Sequence, residues 1–176
     1  MNQISRMYSG RVIDVNVERV RLPNGETADL EIIHHPGGAA IVAIDDQQRV
    51  CLLRQFRHAA GGWIWELPAG KLETGEPPAD TARRELVEEA GRTAAKWQDL
   101  GVILSSPGVF TERIYLYLAH ELAACETAQE KHEVIEVHWI GLQEAVAMAH
   151  DGRISDSKSV VGLLRGNAVW EQQQKP

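Results

Sequence analysis

Cysteine is almost missing from this chain: of 176 residues, only Cys51 and Cys125 carry a thiol. Two isolated thiols build neither a disulfide scaffold nor a zinc site, so a reducing, cytoplasmic setting is expected. Long apolar runs are missing too. None approaches the roughly 18 residues that a membrane-crossing helix needs, so no membrane partner is expected. The opening MNQISRMYSG has no apolar core of the kind a secretory leader requires. Positive charge is in deficit, with 18 lysines and arginines against 25 acids and a net charge of −7. Nucleic-acid binders normally carry a basic footprint, so nucleic acid is not an expected partner. No repeat with a period of roughly 20–50 residues occurs, and low complexity is confined to EQQQKP at the end. What remains is an ordinary globular composition, 44% hydrophobic and 24% charged. A single domain of this length buries about 70% of its unfolded surface, enough for a core without staples.

The N-terminal third reads as strands. In GRVIDVNVERVRL (10–22), Val12, Val15, Val17 and Val20 mix with polar residues, with a slip in the alternation between Val12 and Val15. A turn at PNG (23–25) leads to a second strand, DLEIIHH (29–35). AAIVAID (39–45), a DDQQ turn and RVCLLRQFR (49–57) suggest a hairpin, and GWIWELP (62–68) a further short strand. The period then becomes that of a helix. Between 77 and 90 the positions Ala79, Ala82, Leu86 and Ala90 recur at three and four. Pro77 and Pro78 suit a first helical turn, and Gly91 suits the stop. Strands are expected near 98–105, 113–120 and 134–140. Helices follow over 142–150 and from a cap at Ser155 or Asp156 to the last glutamines. With few strand–helix–strand alternations, this order favours an α+β sandwich over a doubly wound sheet.

The 77–90 helix is oddly charged. Glu85 and Glu89 are i, i+4 neighbours, and Glu88 flanks them. Like charges at this spacing cost a few tenths of a kcal/mol per pair. Their place near the C-terminal end adds roughly 0.3–1 kcal/mol each against the helix dipole. Arg84 can relieve Glu88 at i+4 but leaves the Glu85–Glu89 pair uncompensated. Such a cluster is either a solvated acidic face or a hard-cation site in which carboxylates converge on Mg²⁺ or Mn²⁺.

The residues before the helix decide between these. From Gly70 the chain runs GKLETGEPPADTARRELVEEAGR, which resembles the Nudix box, G-x5-E-x7-R-E-U-x-E-E-x-G-U, U being bulky and apolar. Gly70, Glu76, Arg84, Glu85, Leu86, Glu88, Glu89 and Gly91 fall in register, and Arg92 departs at the final position. The resemblance implies a Nudix hydrolase: an α/β/α sandwich with a mixed β-sheet, cleaving X–P–P–Y diphosphates with water. It implies that Glu85 and Glu89 are catalytic as ligands of Mg²⁺, for which Mn²⁺ can substitute. Glu88 and the backbone carbonyl of Ala69 join them as metal ligands. Glu76 and Arg84 are then a structural ion pair tying loop to helix, and Gly70 and Gly91 are backbone devices.

The resemblance extends further. Pro107, 16 residues after Gly91 within SSPGVFTE (105–112), is placed as in the ADP-ribose pyrophosphatase subgroup. RQFR (54–57), ELPAGKLE (66–73) and YSGRVIDVNVERVRLPNG are similar to the same subgroup. That implies cleavage of ADP-ribose to AMP and ribose 5-phosphate. A GDP-mannose or broader nucleoside-diphosphate-sugar pyrophosphatase is the alternative, and a non-catalytic nucleotide-sugar sensor a lesser one. It also implies a homodimer, with a strand extension over 1–38 exchanged between subunits and a hydrolase domain over 39–176. By the same likeness Arg57 contacts the diphosphate, Ser106 and Glu112 the terminal ribose, and Lys71 the substrate mainly through its backbone. Arg11 and the His34–His35 pair fall where relatives place groups for the partner's adenosine. The general base falls in the loop CETAQEKHEVIEVHW, where Glu133 matches the family's setting best and Glu130 and Glu136 are the other candidates. None of the five tryptophans is assigned to the site.

Overall fold

In the computed structural model, which describes residues 3–127 and 134–174, the N-terminal strands form a sheet of their own. Strands β1 (Gln3–Ser9), β2 (Asp14–Arg21) and β3 (Thr27–His34) are antiparallel, in that order. β1 was not legible in the sequence, because QISRMYS lacks alternation and a bulge interrupts its pairing with β2 between Arg6 and Tyr8. Val12, where the valine alternation slips, lies in the connection before β2. Among the described residues, Ile33 of β3 ties this sheet to the rest of the chain. Ile33 of β3 accepts a hydrogen bond from Thr111 N at 2.9 Å and donates one to Val109 O at 2.7 Å.

The remaining strands build two further sheets. β4 (Gly38–Ala43), β7 (Ala69–Lys71), β8 (Arg92–Leu104) and β9 (Arg113–Ala124) make a mixed sheet in the order β7-β4-β9-β8, with β4 and β9 parallel. β5 (Arg49–Arg57), β6 (Gly62–Glu66) and β10 (Ile135–Gly141) form an antiparallel sheet with β5 in the middle. The segment GWIWELP therefore ends its first strand at Glu66, and Pro68 separates that strand from β7. β8 starts directly after Gly91, at Arg92 rather than near residue 98 as the pattern suggests. Its exposed alternate residues and the bulge between Asp99 and Gly101 blur the period.

All six residues of β4 are buried, and its two faces feed two cores. Ala39, Ile41 and Ala43 pack with Ala82, Leu86 and Ala90 of α1 (Pro78–Ala90). Ala40, Val42 and Ile44 pack with Ala145 of α2 (Leu142–His150) and Leu163 of α3 (Ser157–Gln173). Helices thus cover both faces, which is the α/β/α sandwich. A strand buried on both sides reads as a continuous apolar run, as AAIVA does. Leu86 is fully buried, so its truncation to alanine would cost about 2–5 kcal/mol. α3 approaches the sheet closely through its glycines. A Cβ at Gly162 would stand 2.6 Å from Leu67 Cδ1, and one at Gly166 2.9 Å from Val42 Cγ1. Asp156, not Ser155, caps α3, its side chain accepting from Ser159 N at 3.0 Å.

Candidate active site

Helix α1 stops where the sequence places its glycine. Gly91 adopts the left-handed conformation (φ 59°, ψ 42°), and its N–H closes on the carbonyls of Leu86 and Val87. The three acids of the last turns do not repel one another unrelieved, because Arg84 reaches more of them than i+4 spacing alone suggests. Its Nη1 donates to Glu85 Oε1 at 2.6 Å and to Glu88 Oε2 at 3.0 Å. Its Nε and Nη2 donate to the two oxygens of Glu76, both at 3.0 Å, and Nη2 also to Lys71 O at 3.2 Å. One guanidinium thereby fastens the loop from Lys71 to Glu76 onto the helix. The forked bond to Arg84 holds the Glu76 carboxyl down at about 2. Glu89 turns the other way: almost fully buried, it accepts from Ala69 N at 2.8 Å. A Cβ at Gly70 would collide with the Glu85 carboxylate, the far end of a flexible side chain that would have to move aside.

Several of these residues border one side of a cavity of about 380 Å³, whereas Glu76 and Glu89 are not in its lining. Ala69, Gly70, Lys71, Arg84, Glu85 and Glu88 line that side, with Arg57, Lys158, Asp156, Ser105, Glu112 and His35 around the rest. Among the sequence candidates, Arg57, Lys71, Glu112, Ala69, Glu85 and Glu88 therefore share one space. Glu112 comes with a companion, His35, whose Nδ1 stands 3.4 Å from its Oε1. Ser106 is not in the lining. Its carbonyl closes the 106–110 turn by accepting from Val109 and Phe110, and the adjacent Ser105 faces the cavity. Arg11 and His34 line a separate, shallower hollow of about 250 Å³ at the N-terminal sheet, which His35 also borders. Glu130 and Glu133 lie outside the described residues. Glu136 sits on β10, largely exposed, with Oε2 3.4 Å from His138 Nε2.

Two residues that the sequence reading passed over are prominent. Glu66 is buried and lies between two cations: Arg57 Nε donates to its Oε2 at 2.8 Å, and Lys158 Nζ to its Oε1 at 2.6 Å. A glutamate in an otherwise apolar strand segment was the available signal for Glu66. For Lys158 there was none, because only the packing of α3 brings it there.

As a donor set for a cation, the helix wall is all oxygen. Carboxylates suit a hard ion such as Mg²⁺ or Mn²⁺ rather than a thiophilic one, so the residues fit the implied metal in kind. Among the described residues, no three His, Cys, Asp or Glu are already gathered at a metal-binding distance. Arg84 instead holds Glu85 and Glu88, and Ala69 N holds Glu89.

The model of the NUDIX domain matches residues 34–161. The chain belongs to the NUDIX family. Curated relatives agree over nearly the whole NUDIX chain. An ADP-ribose pyrophosphatase of Bacillus subtilis is 39% identical over 160 residues, 90% of this chain and 86% of its own. A methanol dehydrogenase activator of Bacillus methanolicus shows the same identity and coverage. An ADP-ribose pyrophosphatase of Mycobacterium tuberculosis is 36% identical over 93% of this chain and 80% of its own. A crystal structure of an ADP compounds hydrolase superposes with a TM-score of 0.84, covering 99% of this chain and 95% of that one. At 18% identity that likeness speaks for the fold.

Proposed function

We propose that this NUDIX protein hydrolyses the diphosphate of ADP-ribose to AMP and ribose 5-phosphate with the help of Mg²⁺. The observation that carries the reading is the cavity itself, with box carboxylates on one wall and Arg57 on another. A diphosphate is polyanionic and needs both: cationic donors to hold it, and acids to recruit a metal. Relatives named ADP-ribose pyrophosphatase, at 36% and 39% identity, supply the choice of substrate.

Glu85, Glu88, Glu89 and the Ala69 carbonyl would hold the cation, which when bound offsets the phosphate charge and acidifies a water. Arg57 orients the diphosphate through its terminal nitrogens while Nε stays on Glu66. Glu112 and Lys71 border the same space; Glu112 and Ser106 contact the terminal ribose, and Lys71 contributes mainly through its backbone. Glu133 is the general base that takes the proton of the attacking water, a role to which Glu130 and Glu136 are the competitors.

The active form in this proposal is a homodimer with residues 1–38 as the exchanged element and 39–176 as the hydrolase domain. Exposed apolar residues on the N-terminal sheet support it: Ile4, Met7 and Tyr8 are each more than half exposed, at 60%, 67% and 58%. Arg11 then serves the partner's nucleotide. Both cysteines are free, in keeping with a cytoplasmic site of action.

The test is a substrate panel, with product analysis in Mg²⁺ and then in EDTA. ADP-ribose, GDP-mannose, ADP-glucose, a diadenosine polyphosphate and a nucleoside triphosphate are compared. Mg²⁺-dependent preference for ADP-ribose with AMP as product is the expected result. Preference for GDP-mannose would keep the chemistry and replace the substrate. No turnover of any member, with retained binding, would make the protein a sensor. Sedimentation at twice the 19.5 kDa chain mass is expected, and a monomer would remove the shared site.

A further inference from the structure

We propose that Lys158, on the first turn of α3, is a second cationic contact for the substrate's diphosphate, and that buried Glu66 is the positioning residue that fixes it beside Arg57. The inference rests on the reading of the cavity as a diphosphate site, and it adds a wall that the box does not contain.

Lys158 lines the cavity, yet its side chain is only 13% exposed. A lysine so enclosed normally has a reason for its position, since burying an ammonium costs several kcal/mol unless it is paired. Here the pairing is double: Glu66 Oε1 at 2.6 Å and Asp156 Oδ2 at 3.0 Å. An ammonium has three donors, and these two contacts leave the third without a partner among the described residues. Arg57 is in the same condition. It gives Nε to Glu66, and both terminal nitrogens are without a partner among the described residues. Two cations, held by one buried carboxylate, thus keep donors in reserve, and both residues line the cavity.

The clamp is rigid because each end is tied again. Asp156 accepts from Ser159 N and Oγ as the cap of α3. Ser159 Oγ accepts in turn from Leu67 N at 2.7 Å, which fixes α3 to the residue next to Glu66. With Arg57 and Lys158 balanced by Glu66 and Asp156, this wall carries no excess charge. It therefore selects through directed donors, and an anion arriving with its own charge completes the coordination. A wall used only to hold the fold would have spent the remaining donors on carbonyls, as Arg84 does with Lys71 O.

The experiment measures calorimetric binding of inorganic pyrophosphate with Mg²⁺, beside KM and kcat for ADP-ribose. Wild type is compared with K158M, K158Q, E66Q and the K158M/E66Q double variant. K158M and K158Q are expected to weaken pyrophosphate binding and raise KM by about tenfold to a hundredfold, with kcat changed far less. K158Q serves if K158M does not fold, because its amide can still bond Glu66. E66Q is expected to raise KM several-fold, and K158M is expected to add less in the E66Q background than alone. A purely structural Lys158 would lower the melting temperature and leave pyrophosphate affinity within twofold, which overturns the proposal. Strictly additive effects would overturn the positioning role of Glu66. Absence of pyrophosphate binding by wild type would also overturn the proposal. If wild type turns over no ADP-ribose while the lysine variants still lose pyrophosphate, the substrate reading fails and the cationic contact stands.

Discussion

The two walls of the cavity are built on opposite plans. On the helix side a single cation, Arg84, sits among three carboxylates, Glu76, Glu85 and Glu88. On the other side the buried carboxylate Glu66 sits between two cations, Arg57 and Lys158, and Asp156 pairs with Lys158 as well. The first arrangement leaves acids in surplus and every guanidinium nitrogen engaged. The second leaves donors in surplus. A polyanion placed between them meets hydrogen-bond donors on one side and, on the other, acids that repel it until a divalent ion intervenes. In the proposed reading that polarity would orient a diphosphate before any specific sugar or base contact is made, and it would make turnover depend on a divalent ion.

The sharpest way to break this picture is at the acidic wall. Glu89→Gln keeps the shape and a hydrogen-bonding side chain beside Ala69 N but removes a charge that the proposed metal site needs. Turnover should fall by roughly a thousandfold or more, as when a metal's ligation is lost, while the far-ultraviolet dichroism stays native. Unchanged kcat would mean that the buried glutamate is only a brace. Gly70→Ala comes next. The new methyl would occupy the position of the Glu85 carboxylate, 1.8 Å from Oε1, and the flexible side chain would give way first. A displacement of about 1 Å in such a group costs on the order of a hundredfold. Activity should therefore drop far more than the melting temperature, and a variant with wild-type kcat would detach Glu85 from the chemistry.

The difference between the walls also separates what the sequence shows from what it hides. The acidic wall is local. Everything from Gly70 to Gly91 lies on the end of β7, one loop and one helix, so spacing alone aligns it, and the departure at Arg92 leaves the box geometry in place. The cationic wall comes from residues 57, 66 and 158, on two strands and the last helix, and no periodicity connects them. Arg57 was accessible only through resemblance, Glu66 only as an incongruous acid in a short strand, and Lys158 through neither. Ser105 and Ser106 differ in another way: the former lines the cavity and the latter does not. A turn exchanges which of two adjacent serines faces inward, a matter of one residue's backbone rotation. β1 is hidden for an energetic reason: its pairing is mostly solvent-exposed, so no buried face imposes an alternation on QISRMYS.

A smaller effect sharpens the comparison from the far wall. Arg57→Met removes the terminal nitrogens and leaves Glu66 with Lys158 as its remaining partner. If the donors in surplus serve the diphosphate, KM for ADP-ribose should rise about tenfold or more and kcat should change less. Equal losses in kcat and kcat/KM would instead assign Arg57 to the transition state.

The smallest expected effect concerns the brace behind the acidic wall. Glu76 binds Arg84 through both oxygens, and that bond holds its carboxyl at about 2, against an ordinary value of 4.5. A carboxylate whose pKa is depressed on folding adds stability that is complete above pH 4.5 and is lost as pH falls toward 2. Because the pair is partly open to solvent, the contribution is modest and screened by salt. Glu76→Gln should therefore lower the melting temperature slightly at pH 7 and flatten its decline between pH 4.5 and pH 2. A scan of melting temperature against pH reads both. Parallel curves for variant and wild type would show that Arg84 is held in place by Glu85 and Glu88 alone, and that the loop from Lys71 to Glu76 does not stabilise the acidic wall.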